Sequence, residues 1–227
     1  MKPYDLFNKK LYELIQECIK GQIHYRLWKR LNESFGKEKN TIELFPLFFQ
    51  FTAEAHFNCT RLHLFRIIDD TKGANSIKAL IEFAEKHPEF FSSEIRFEEV
   101  IQRHKKLLKE AKPKIDILLK QRHKHFIHKS NEYLVIGYDN LYKEYKSSYV
   151  DYFELLESID RMLNEYLDIL KGESYFVIVK NEQQEFDALI NSLKKGTEII
   201  EKTKLSKEQI QQNSKNLLRI LNAKRKA

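Results

Sequence analysis

The 227-residue chain carries 40 Lys and Arg against 33 Asp and Glu, for a formal charge of +7, and is 42% hydrophobic and 12% aromatic with only 6 Gly and 4 Pro. That apolar content excludes a disordered chain, and the scarcity of turn-formers favours an all-α fold built from long helices. Cys18 and Cys59 lie far apart inside apolar patterns, Met1 to Asp5 lacks a signal peptide's apolar run, and no stretch approaches the roughly 18 apolar residues of a membrane span; a soluble cytoplasmic protein is expected, without disulfides, a cysteine-based zinc site or a membrane partner.

In chain order, Phe7, Leu11, Leu14, Cys18, Tyr25, Trp28, Leu31 and Phe35 recur at helical steps and predict an amphipathic helix from Leu6 to about Phe35. Gly21 falls in a gap of that stripe, where it either permits close helix packing or is simply tolerated at a cost of about 1 kcal/mol. Thr41 is the expected N-cap of a second helix running to about Asp70, with Pro46 in its early turns. Ten apolar residues from Phe45 to Ile67 wrap most of that helix, so it is expected to be the central, most buried one. His56 and His63 on it read as core or interface histidines, and Arg66 is spaced to pair with Asp69 or Asp70.

Thr71 to Asn75 reads as a turn. Ser76 then opens a short helix to about His87, ahead of Pro88. After a loop through Ser92 and Ser93, a long helix runs from about Glu94 towards His128, with a kink or a break into two helices expected at Pro113. Residues 131–148 read as loop with a brief extended piece around Tyr133 to Ile136. A further amphipathic helix spans Tyr149 to Leu170 and is ended by Lys171-Gly172. Beyond it lie a β-like run from Tyr175 to Val179, a helix from Gln183 to Lys194 and a weaker one from Lys207 to Ala223. Residues 1–170 are therefore read as one helical domain and 171–227 as a mostly helical C-terminal extension.

Charge is unevenly spread. Between Arg103 and Lys129 stand ten Lys or Arg and two acids, an excess larger than that of the whole chain, together with half of the eight histidines. A basic excess confined to one segment points to an anionic partner, with nucleic acid first and a membrane surface second. The segment ends in Arg122-His123-Lys124-His125-Phe126-Ile127-His128-Lys129-Ser130.

Tracing the apolar face of the long helix through positions 97, 100/101, 107/108, 111, 115 and 118/119 lands on Arg122 and then on His125 and Phe126. Arginine on a packing face needs an anion, a carboxylate or a second subunit. His128, six residues on, lies about 240° round and about 9 Å along an unbroken helix. A helix ending near Ile127 lets it turn back towards Arg122. Such a pair suits metal-independent RNA cleavage: a histidine exchanges protons with the 2′-hydroxyl or the leaving oxygen, and a fixed guanidinium stabilises the phosphorane. By spacing alone, a basic helix end with solvated histidines is the better fit. His125 either assists His128 or is an ordinary packed histidine, and Lys120, Lys124 and Lys129 are phosphate contacts or solvated lysines. Without nearby acids or cysteines, the three histidines predict no metal site, and no cofactor is implied.

The stretch from Arg122 to Ser130 resembles the R-x(4-6)-H signature of the HEPN superfamily (higher eukaryotes and prokaryotes nucleotide-binding), placed likewise at a helix end in an all-α domain. Arg66-Ile67-Ile68-Asp69-Asp70, leading into Ser76-Ile77, is similar to its abortive-infection U-type branch. The resemblance covers roughly residues 5–170. It implies a HEPN-like helical bundle that forms a homodimer, with Arg122 and His128 as catalytic residues of a ribonuclease in phage defence or a toxin–antitoxin pair. RNA is the implied partner, and an antitoxin or regulatory protein a further one. His123 and His125 are accessory candidates; the position of His123 more usually holds Asn or Asp, which orients the site. Two alternatives stand beside this reading: a catalytically silent HEPN domain that binds RNA, a nucleotide or a partner protein, and a basic helical adaptor.

Overall fold

The apolar stripe that begins at Phe7 forms the buried face of α1 (Pro3–Lys37) in the computed structural model, which describes residues 1–43, 45–91, 94–123, 148–175 and 180–202, with 209 and 212. All regular structure among these residues is helical: α2 (Lys39–Ile42), α3 (Pro46–Ile67), α4 (Ile77–Glu85), a 3-10 turn at Pro88–Phe90, α5 (Glu94–Gln121), α6 (Tyr149–Lys171) and α7 (Lys180–Lys202). The expected loop at Ser92 and Ser93, most of residues 131–148, the run from Phe176 to Val179 and nearly all of the last predicted helix lie outside the described residues. The chain divides into two compact units, Met1–Glu33 with Leu47–Ile178, and Ser34–Pro46 with Val179–Ala227. In the second, Lys194 Nζ reaches Glu38 Oε1 at 2.7 Å. Helix α7 outruns the predicted Gln183 to Lys194 segment at both ends.

Helix ends follow local chemistry. Ser76 caps α4 by accepting from the Ala79 amide. Ser148 and Asp151 form a reciprocal capping box on α6, and Gly172, at φ 64°, closes it in the left-handed conformation that glycine adopts without strain. Two boundaries differ from expectation. α3 starts at Pro46 rather than at Thr41, because proline restricts the residue before it and suits a first helical turn; Thr41 lies inside α2. α5 runs through Pro113 as one helix. Pro113 and Lys109 both face solvent, so water can satisfy the carbonyl that proline leaves without an amide.

The centre of the first unit is α6, not α3. Tyr152, Leu155, Leu156, Ile159, Met162, Leu163, Tyr166 and Leu167 of α6 are all buried. One aromatic group joins α1, α3 and α6 through Tyr25–Phe153, Trp28–Phe57 and Phe57–Tyr152. Another joins α1, the α4–α5 region and α6 through Phe7, Phe91, Phe97 and Tyr166. On α3, Phe49, Phe57, Leu64, Phe65 and Ile67 are buried, but Leu47, Phe48 and Phe51 are each about 60% exposed and Leu62 is half exposed. An apolar circumference therefore did not translate into burial on every side.

Beside the Trp28–Phe57 contact, α1 and α3 also meet through polar groups. Glu17 Oε2 accepts from His63 Nδ1 at 2.8 Å and from Arg66 Nη1 at 3.2 Å, so Arg66 turns to α1 rather than to the predicted Asp69 or Asp70. His24 and His56 approach with their Nδ1 atoms 2.9 Å apart, so one ring donates and the other accepts. Burial lowers the pKa of both, and the neighbouring His56 and His63 lower that of His24 further. Gly21 lets the helices close in: a Cβ there would lie 3.2 Å from Leu156 Cδ2 and 3.4 Å from His63 Cβ.

Gly21→Val is expected to cost about 1–3 kcal/mol by overpacking that contact, whereas Gly36→Ala, with nothing within 4 Å of the added Cβ, should be neutral or slightly stabilising; urea unfolding of both variants checks the contrast. The histidine pair makes a second prediction. Each imidazole returns to about 6.5 on unfolding, so below that pH the unfolded chain binds more protons than the folded one, and stability falls as pH drops from about 7 towards 5. Thermal melts across that range should show the fall, and His56→Gln should flatten it.

Candidate active site

Arg122 follows the last residue of α5, where the helix widens into a π-type turn at Arg122 and His123. Its neighbour Gln121 is buried and accepts a hydrogen bond from the Tyr152 hydroxyl of α6, which ties the end of α5 to the central helix. Arg61 of α3 is buried beside them, its guanidinium 5.7 Å from the centres of the Phe57 and Tyr152 rings. Arg122 is only 8% exposed, as the trace of the apolar face predicts.

Its counter-charge is Asp69. The Nη1 group donates to Asp69 Oδ2 at 2.9 Å. Asp69 stands just beyond the end of α3, in a turn that its own side chain organises: Oδ1 accepts from the Thr71 amide at 2.9 Å and from the Thr71 hydroxyl at 2.6 Å. Gly73, at φ 87°, completes the turn. Burial raises the Asp69 pKa, but the Thr71 hydrogen bonds and the Arg122 contact outweigh it and hold the carboxyl below its usual range. Asp69 is therefore an anion at neutral pH.

On its other side Arg122 donates from Nη2 to His123 Nε2 at 3.2 Å. That contact requires an unprotonated Nε2, so His123 acts as an acceptor. An Asn or Asp at this position would offer an acceptor oxygen, and His123 supplies a nitrogen in its place. Arg122 Nε is buried and has no hydrogen-bond partner. The guanidinium is thus anchored at two nitrogens, with the third unsatisfied.

Of the other predicted site residues, Lys120 is exposed on the last turn of α5 and His123 is exposed beyond it. Lys124, His125, His128 and Lys129 lie outside the described residues. Among the described residues no group of three or more His, Cys, Asp or Glu is placed to hold a metal ion, and no helix is long and apolar enough to cross a membrane. Sequence reasoning missed Asp69 as the partner of Arg122, because the only available signal, its spacing from Arg66, pointed to a local pair.

The basic excess of this segment is largely answered within the fold. Arg103 meets Glu165 at 2.7 Å, Lys105 meets Glu85, and Lys114 lies 2.9 Å from both Asp151 and Glu154. Lys106 and Lys112 pair with Glu110 and Asp116 along the helix. His104 is buried and faces Glu165 Oε2 at 2.7 Å. Its pKa is lowered chiefly by burial, against the pull of Glu165, so at neutral pH it is an uncharged donor. A helix that looks like an open cationic strip in one dimension is mostly a set of internal ion pairs.

The family model for AbiU2, a HEPN family, matches residues 5–191 and so includes the whole stretch from Arg122 to Ser130. The chain belongs to the AbiU2 family of HEPN domains. No curated protein and no solved structure matches it. Membership agrees with the all-helical architecture, and AbiU2 proteins stand among nucleotide-binding or ribonuclease-type domains linked to abortive infection. The match also continues past Leu170 into α7, so part of the segment read as an extension lies within the AbiU2 region.

If Tyr152 secures the helix end that carries Arg122, Tyr152→Phe should destabilise the domain by about 1–3 kcal/mol, because it removes a buried donor from Gln121 while leaving the ring in place. Denaturant unfolding measures the loss.

Proposed function

We propose that this AbiU2-family protein is a metal-independent endoribonuclease of a phage-defence or toxin–antitoxin system, with Arg122 and His128 as its catalytic residues. The observation that carries the reading is the treatment of Arg122: a nearly buried guanidinium, anchored by Asp69 and His123, at the start of the R-x(4-6)-H stretch of a HEPN family member. Holding a guanidinium rigidly is what charge stabilisation of a phosphorane needs, because its benefit depends on donors oriented before the reaction begins.

In this mechanism His128 accepts the 2′-hydroxyl proton as the 2′-oxygen attacks phosphorus. The P–O5′ bond breaks, the leaving 5′-oxygen takes up a proton, and the products carry a 2′,3′-cyclic phosphate and a 5′-hydroxyl. Arg122 balances the charge on the phosphorane oxygens. His125 and the supply of the leaving-group proton from a second copy belong to the same proposal, in which two motifs face each other across a homodimer. Lys120, Lys124 and Lys129 would contact neighbouring phosphates, and an antitoxin or regulatory protein would restrain the site.

One observation favours a second reading. An arginine that is 8% exposed and already paired with a carboxylate suits a structural role in a silent HEPN domain that binds RNA, a nucleotide or a partner.

Purified protein incubated with RNA in excess EDTA decides between them. Cleavage yielding 2′,3′-cyclic ends, reduced at least about a hundredfold by Arg122→Ala and by His128→Ala, is the expected result. RNA retention without cleavage would support the silent domain, and equal cleavage by both variants would remove these residues from the site.

A further inference from the structure

Asp69 uses its two oxygens for two different tasks. Oδ1 takes two hydrogen bonds from Thr71, which fix the carboxylate in the turn after α3, and Oδ2 takes the Nη1 donor of Arg122. Thr71 therefore orients Asp69, and Asp69 orients Arg122 across the gap between α3 and α5. The order matters, because the carboxylate is seated by its own turn without help from the arginine. Arg122 meets a partner already in position.

The guanidinium carries five N–H donors. One goes to Asp69 and one to His123, while Nε–H is buried without a partner. Nε–H lies on the edge by which guanidinium groups grip a phosphate with two parallel hydrogen bonds, the other donor of that edge coming from Nη2. A buried donor left unmatched in the resting protein becomes matched when an acceptor oxygen arrives. Asp69 occupies the Nη1 side and leaves Nε–H unclaimed.

We propose that Asp69 is the positioning residue of the site: seated by Thr71, it sets the guanidinium of Arg122 so that its Nε–H donor is kept for a phosphate oxygen of RNA. The proposal rests on the ribonuclease reading. Asp69 itself touches no substrate and acts only through Arg122.

Asp69→Asn is the informative variant, being nearly isosteric. An amide has one oxygen and one NH2 group, so it cannot accept from Thr71 and from Arg122 with separate oxygens. Either Thr71 or Arg122 must then face a donor. In the EDTA cleavage assay, kcat is expected to fall by about 10- to 100-fold, with KM changed less than about threefold because the substrate contacts persist. Thr71→Val, which removes one of the bonds seating Asp69, should give a smaller loss in the same direction.

Two further readouts separate positioning from mere stability. Asp69→Asn added to Arg122→Ala should cause no loss beyond that of Arg122→Ala alone, since the two act as one unit. Phenylglyoxal labelling of Arg122, followed by peptide mass, should be slow in the wild type and faster in Asp69→Asn at temperatures where circular dichroism shows both folded. If the wild type cleaves and Asp69→Asn matches its kcat, or if the two losses add in full, the positioning role is overturned while the ribonuclease reading stands. A wild type that cleaves no RNA overturns the ribonuclease reading and removes the positioning role with it.

Discussion

A guanidinium taken out of water needs a counter-charge close by, because an isolated buried charge costs several kcal/mol after relaxation. At Arg122 that need is met by a residue 53 positions earlier in the chain, and the pairing draws the end of α5 to the turn after α3. The turn is stiff by its own hydrogen bonds, and the end of α5 is held again by Gln121 and Tyr152. Two elements that share no sequence neighbourhood thus define one charged point at the helix terminus where the family's motif begins.

The same logic extends along α5. Its cations meet a carboxylate of α4 at Glu85 and carboxylates of α6 at Asp151, Glu154 and Glu165, so ion pairs flank on both sides the face that Phe97, Val100, Ile101, Leu118 and Leu119 bury. Exposed pairs of this kind contribute little individually. Their main effect is on register, since each cation finds its acid only if α5 lies at the right height against α6. Apolar burial supplies the stability, and the charges select the alignment that sets Arg122 beside Asp69.

Helix α3 complicates a simple division between core and surface. It contributes Phe57 and Leu64 to the core and Arg66, His56 and His63 to a polar seam with α1, yet leaves Leu47, Phe48, Phe51 and Leu62 open. The seam is compact because Gly21 has no side chain to hold α1 away from Leu156 and His63. Burial lowers the pKa of His24 and His56 in this seam, and at His24 the neighbouring His56 and His63 add to it.

Local chemistry made much of the fold legible in sequence: the periodicity of α1, α4 and α6, the Ser76 cap, the glycine stop at Gly172, and the position of Arg122 on the packing face of α5. The motif and the family were legible for the same reason, since they are written in contiguous residues. Tertiary structure alone decided that α6 is central, that α5 continues through Pro113, that Arg66 serves Glu17 and that Asp69 serves Arg122. Periodicity states which face of a helix is apolar, but not which neighbour will cover it. Spacing shows which charges are close along a helix, but a carboxylate brought in from another helix competes on distance alone, and only the folded arrangement sets that distance.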